Sequence, residues 1–357
     1  MTTLRVILDD ILTPGGGPLA RYAEHLTRAL TETAPRGSDV AGVVAASPED
    51  DYARLRAALP RLRTLHKSAL ARRELQTAWQ HGFTVLPGSG MVHAPGLLAP
   101  LRRHDRTVAL DDQTVVTIHD ALAWTHPELL PSRTAAWTRA MGRRAQKHAD
   151  AVVVPTHALA AELDEHLQLG GRIRVIGTAP SVAEVAVPAT RDLPERYVVA
   201  VTEGDARNGF SVLAEAAARL DTPVVLIARP GDAASIDGVE KLTLVDEVDD
   251  AERAAIVRGA AVYVQPSLAA GPAGALLDAM ALGRPVVATD LPAATEVLAG
   301  AAELVPAGDA GALADAVRAL LDDASAADRG GVAAEDRARA FTWWDAAEKV
   351  WQLHADL

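Results

Sequence analysis

The chain has 357 residues, too many for one ordinary core and about right for two domains. Hydrophobic residues make up 49% and charged residues 23%, a globular balance that excludes wholesale disorder. The absence of cysteine excludes disulfides, thiol catalysis, iron–sulfur clusters and Cys-type zinc sites, and the net charge of −12 argues against a nucleic-acid partner.

The N-terminus runs into a short apolar strand that meets Asp9-Asp10, too short a run for a secretory signal, so a cytoplasmic chain is expected. From there, apolar runs alternate with Ala/Leu-rich helical stretches, the pattern of parallel sheets covered by helices. Strands are predicted at 5–8, 40–45, 91–94, 114–118, 151–154 and 173–176, then at 197–201, 223–228, 242–245, 261–264, 285–288 and 303–305. Residues 179–196, with Pro180, Pro188 and Pro194, read as a linker between two doubly wound halves. The expected domains are therefore 1–180 and 190–340. Residues 259–277 carry no charge, but Pro266, Pro272 and several glycines make them a strand, a loop and a helix start rather than a membrane span. The last segment, from Phe341, is an amphipathic helix with three of the six tryptophans.

Charge is uneven. Residues 1–190 hold 21 Lys/Arg and 19 Asp/Glu, whereas 191–357 hold 14 and 28. Between Arg54 and Arg73 lie seven basic residues and no acid, with leucines interleaved. That stretch reads either as a solvated helix face or as a patch, including Arg72 and Arg73, that meets anionic lipid or a phosphorylated acceptor.

Ligands of doubly wound sheets bind at the carboxyl ends of strands, so the candidate residues are those just after strands. Thr13-Pro14-Gly15-Gly16-Gly17-Pro18 places glycines between a strand and a helix, where backbone amides approach a phosphate or an acceptor, or simply make a tight turn. It lacks the tight spacing and the downstream acid of a dinucleotide fingerprint. His119, in Thr117-Ile118-His119-Asp120, follows a strand and is placed to donate a hydrogen bond or stabilise charge. Asp120 either orients it or caps the next segment. Arg207, beside Asn208, suits a diphosphate. Gly271 and Gly274 open a helix in which Asp278 is a lone charge needing a partner or a ligand hydroxyl. No Asp-x-Asp, His-Glu-x-x-His, G-x-S-x-G or Walker A sequence occurs, so metal hydrolysis, serine hydrolysis and P-loop chemistry are not expected.

In this order the segments resemble glycosyltransferase family 4. The resemblance rests on the Gly-rich loop with Arg21-Tyr22, Val92-His93-Ala94-Pro95, Thr117-Ile118-His119-Asp120 with His126-Pro127-Glu128, Ala149-Asp150 through Thr156, Arg172 to Ile176, Pro285-Val286-Val287-Ala288, and Phe341-Thr342-Trp343. It implies the GT-B fold: two Rossmann-like domains facing across a cleft, with a final helix, 341–357, crossing back to the first. It implies transfer of a sugar, with retention, from a nucleotide-sugar held mainly by the second domain to a glycan or lipid-linked acceptor on the first. It implies no metal and no further cofactor, and a place in cell-surface polysaccharide or glycolipid synthesis, on the inner face of the membrane if 54–73 touches lipid. By the resemblance His119 lies near the donor sugar, Gly16 and Gly17 near the diphosphate, and Arg207 neutralises it.

The sequence departs from the family pattern in the donor half. Asn208 stands where the family has lysine. The two glutamates of its Glu-x7-Glu motif fall on Ala270 and Asp278. Two readings therefore stay open: an active transferase with an altered donor pocket, or a non-catalytic relative that binds or scaffolds another transferase.

Overall fold

The computed structural model describes residues 2–13, 16–83, 90–104, 112–182, 189, 191–202, 206–228, 241–246, 248–269 and 274–357. The chain divides into two compact units, Met1–Thr178 with Thr342–Leu357, and Ala179–Phe341. Gly271 and Ala270 lie outside the described residues.

The N-terminal unit is a seven-stranded parallel sheet: β1 (Thr2–Ile7), β2 (Ser38–Ala46), β3 (Thr64–Ala71), β4 (Met91–Ala94), β5 (Gln113–Thr117), β6 (Ala151–Val154) and β7 (Ile173–Val175). Its order is β3-β2-β1-β4-β5-β6-β7. Parallel strands are covered on both faces, which is why β2 from Val40 onward and β6 read as continuous apolar runs. One face packs Trp79, Leu98 and Met141; the other packs Leu26, Leu30 and Trp351. Trp351 belongs to the terminal helix, Trp343–Asp356, whose Ala346, Ala347 and Val350 share that second core with the first helix, Pro18–Glu32. Its indole donates to the Leu30 carbonyl at 3.2 Å.

The C-terminal unit has six parallel strands: β8 (Val198–Val201), β9 (Val224–Ile227), β10 (Leu242–Val245), β11 (Val262–Gln265), β12 (Val286–Thr289) and β13 (Glu303–Val305), in the order β10-β9-β8-β11-β12-β13. Both sheets therefore have a switch point beside their first strand, between β1 and β4 and between β8 and β11, where the connections run in opposite directions and leave a crevice.

Every strand read from the sequence is present, with ends shifted by at most three residues. Strand β3 was not expected, and the basic stretch 54–73 is not one helix face. The helix Glu49–Ala58 ends inside it, and Thr64–Ala71 is an edge strand paired to β2 with a register shift between Val44 and Ala46. The lone outer partner leaves β3 largely exposed, so its sequence shows polar and small residues rather than an apolar run. Arg54, Arg63, Lys67 and Arg72 are paired with Asp51, Asp39, Glu49 and Asp10, while Arg56, Arg61 and Arg73 are exposed. Among the described residues no helix is long and apolar enough to cross a membrane.

Candidate active site

Four loops meet at the N-terminal unit's switch point. After β1 the chain makes a short 3-10 turn, Asp9–Leu12, that buries both carboxylates. Asp9 Oδ1 accepts from the Ala45 amide at 3.1 Å, and its Oδ2 is buried with no partner. Burial raises the Asp9 pKa to about 6, against the opposing pull of that amide and of Arg72. Asp10 is raised in the same direction by burial, and Arg72 works against it. Arg72, at the start of the helix after β3, donates to Asp10 Oδ1 at 2.8 Å, to the Asp9 carbonyl at 3.0 Å and to Thr13 Oγ1 at 2.9 Å. Arg72, read from the sequence as part of a patch for anionic lipid or a phosphorylated acceptor, thus pins the loop that leads into the glycines. Gly96, after β4, lets Asp10 approach: a Cβ there would lie 2.9 Å from Asp10 Oδ2.

Gly16 and Gly17 have φ of 66° and 122°, conformations that glycine adopts without strain. Gly17 is the N-cap of the first helix and supplies no side-chain cap, and the first turn carries no acid. The Gly16 amide already donates to the Thr13 carbonyl at 3.0 Å and Pro18 has no N–H, so an anion at this helix start would meet the first-turn amides beyond Pro18.

His119 follows β5. Its Nε2 lies 2.7 Å from the Pro95 carbonyl oxygen, an atom that only accepts. Nε2 therefore carries the proton, and the neutral ring keeps Nδ1 as an acceptor. Burial lowers the His119 pKa; the Pro95 bond and the nearby Asp120 oppose this. His119 is a neutral acceptor at pH 7, not a cation. Asp120 Oδ1 accepts from the Leu122 amide at 3.1 Å, an Asx turn ahead of the short helix Leu122–Thr125, whose N-cap is Ala121. Arg73 lies exposed beside Arg72, apart from this network.

In the C-terminal unit the loops after β8 and β11 are tied together. The Leu268 amide donates to the Arg207 carbonyl at 2.6 Å, and Gly209, at φ 66°, lies so near Pro266 that a Cβ would sit 1.7 Å from its carbonyl oxygen. Arg207 and Asn208 are held in this turn, with Asn208 Nδ2 buried and unpartnered. Gly274 begins the helix Gly274–Ala281 and borders open space. Asp278, 2% exposed, accepts from the Ser181 amide at 2.6 Å on Oδ1 and from Arg253 at 3.3 Å on Oδ2. Arg253, 6% exposed, also reaches Asp250 at 2.7 Å. Both carboxylate oxygens thus have partners inside the unit.

Sequence reasoning passed over Asp9, Asp10 and Arg253 as functional groups. Paired acids directly after a strand, and an arginine followed by Ala254-Ala255-Ile256-Val257, were the available signals.

Two doubly wound parallel units with loops gathered at both switch points define an α/β protein of two Rossmann-like domains. A sucrose-phosphate synthase from Thermosynechococcus elongatus shares the fold at TM-score 0.72 and 21% identity, over 100% of this chain and 99% of that one. Anabaena HepE in complex with UDP-glucose does so at 0.69 and 16%, over 100% of both. The family model described as Glycosyltransferase Family 4 matches residues 15–179, and that described as Glycosyl transferases group 1 matches 195–323. The chain belongs to the group 1 glycosyltransferase family. It is 36% identical to a phosphatidyl-myo-inositol mannosyltransferase of Mycobacterium leprae over 160 residues, 42% of this chain and 43% of that protein. It is 29% identical to one of Mycobacterium tuberculosis over 231 residues, 60% and 55%. The chain spans about half the length of the curated relatives it matches.

Proposed function

We propose that the protein moves a sugar, with retention, from a nucleotide-sugar to a lipid-linked or glycan acceptor in glycolipid or polysaccharide synthesis. The observation that carries this reading is His119: a neutral imidazole, its Nε2 proton given to Pro95, packed against Tyr22 of the helix that the glycine loop opens. A neutral Nδ1 accepts from a sugar hydroxyl without adding charge. As the bond from the anomeric carbon to the diphosphate breaks, negative charge grows on the leaving phosphate. The amides of the first helix turn stabilise it, so the reading invokes no metal. The mannosyltransferase names of the relatives favour a hexose donor and a phospholipid acceptor, with exposed Arg56, Arg61 and Arg73 meeting the membrane surface.

A second reading, a non-catalytic partner of another transferase, is favoured by one observation: Asp278, at the family's ribose-holding position, has both oxygens occupied. Calorimetric titration with UDP, GDP and dTDP separates the two. One nucleoside diphosphate should bind, and His119→Ala should lower turnover roughly a hundredfold without shifting the melting temperature. A folded chain that binds none of the three sinks the transferase reading.

A further inference from the structure

A ring held by one hydrogen bond still swings about it, so something else must fix the His119 plane. Tyr22, buried on the first helix, meets that ring edge-on, with centroids 4.5 Å apart and planes at 80°. Behind Tyr22 stands Trp343, at 5.6 Å and 63°. The same indole stacks on His25 at 5.5 Å and 16°. Tyr22 and His25 are three residues apart on the helix, so their side chains are neighbours on one face. Trp343 is wedged between them. It is also the first residue of the terminal helix, and its place is set by Thr342, whose Oγ1 accepts from the Asp345 amide at 3.1 Å. Residue 342 is where the chain re-enters the N-terminal unit.

We propose that Trp343, acting through Tyr22, is a positioning residue for His119: the wedge holds the imidazole where Nε2 meets Pro95 and Nδ1 is presented to substrate. The last clause rests on the reading of His119 given above. An edge-to-face contact on one side and a hydrogen bond on the other leave the ring one orientation, and with it one tautomer. A few tenths of an ångström at such a group matter to the rate, because near-attack geometry is narrow.

The test is nitrogen NMR of the His119 ring in the full chain, read beside steady-state kinetics. The wild type should show a single neutral tautomer protonated at Nε2 at pH 7. Trp343→Leu should show mixed tautomers and a His119 pKa moved up toward the ordinary histidine value, with kcat about tenfold lower and donor KM within about twofold. Trp343→Phe, which keeps a ring in the notch, should restore the single tautomer. Tyr22→Leu, removing the other half of the wedge, should reproduce the Trp343→Leu shifts, and keeps the test available if that variant does not fold. Trp344→Leu, at a neighbour that is 55% exposed, should change nothing. A folded Trp343→Leu chain with wild-type His119 resonances overturns the proposal, even if its activity falls. If those resonances move but His119→Ala transfers sugar at the wild-type rate, the wedge stands and the role of His119 falls.

Discussion

At the switch point between β1 and β4, buried polar groups are left with spare capacity: Asp9 Oδ2 has no partner, His119 keeps an acceptor nitrogen, and the first helix starts without a side-chain cap. In the C-terminal unit, the buried charged pair Arg253–Asp278 is closed on itself, with Asp278 bound to Arg253 and to Ser181. Two sheets of the same topology thus treat buried charge in opposite ways. A carboxylate with an orphan oxygen costs stability and is retained where function uses it. A carboxylate with both oxygens matched costs little and holds the scaffold together.

The largest test of that contrast is Asp278→Ala. It leaves Arg253 buried with only the exposed side of Asp250 for company, and should cost about 3–5 kcal/mol, a drop near 10 °C in melting temperature of this unit. Replacing both partners, Arg253→Met with Asp278→Leu, should recover most of the loss. If Asp278→Ala keeps its stability and loses only nucleotide affinity, Asp278 is a donor-site residue and the contrast collapses.

Asp9→Asn probes the other side. The Asp9 pKa is raised to about 6 in the folded chain against 3.8 for the free side chain, so the folded state binds more protons between those values. Stability from Asp9 is therefore full below about pH 4 and is lost as pH rises through 6. Asparagine keeps an acceptor for the Ala45 amide and carries no charge. It should stabilise the chain by up to about 3 kcal/mol at pH 8, with the gain vanishing below about pH 4. Denaturation across that range checks it; a gain independent of pH breaks the assignment. His354 has the opposite sign. Burial lowers its pKa to about 4, so its contribution is present above 6.5 and is lost as pH falls toward 4.

The strands were legible because a parallel sheet needs apolar runs on both faces, as in Val152-Val153-Val154. The edge strand Thr64–Ala71 was not: with one neighbour and most side chains exposed, its pattern matches a basic solvated surface. In the candidate site, Gly16, Gly17 and His119 stood out because each follows a strand. What each does could not be read. The His119 tautomer depends on the Pro95 carbonyl, 24 residues away, and Arg72 on a carboxylate 62 residues away. Asp278 showed the need for a partner, but Arg253 and Ser181 are brought to it only by the packing of three separate segments.

The smallest effect sharpens the comparison most. Asn208 occupies the turn after β8 where the family resemblance puts a lysine, and its Nδ2 is buried without a partner. If this loop faces the diphosphate, Asn208→Lys adds a charge there and should tighten a nucleoside diphosphate by at most about tenfold, or 1.4 kcal/mol. The gain should shrink with added salt, because an exposed ammonium is screened. Adenosine, which has no phosphate, should bind no better to the variant than to the wild type. An unchanged diphosphate affinity at low salt would mean that the tied loops of β8 and β11 do not approach the phosphates, and that any positive charge at the leaving group comes from the uncapped helix of the N-terminal unit.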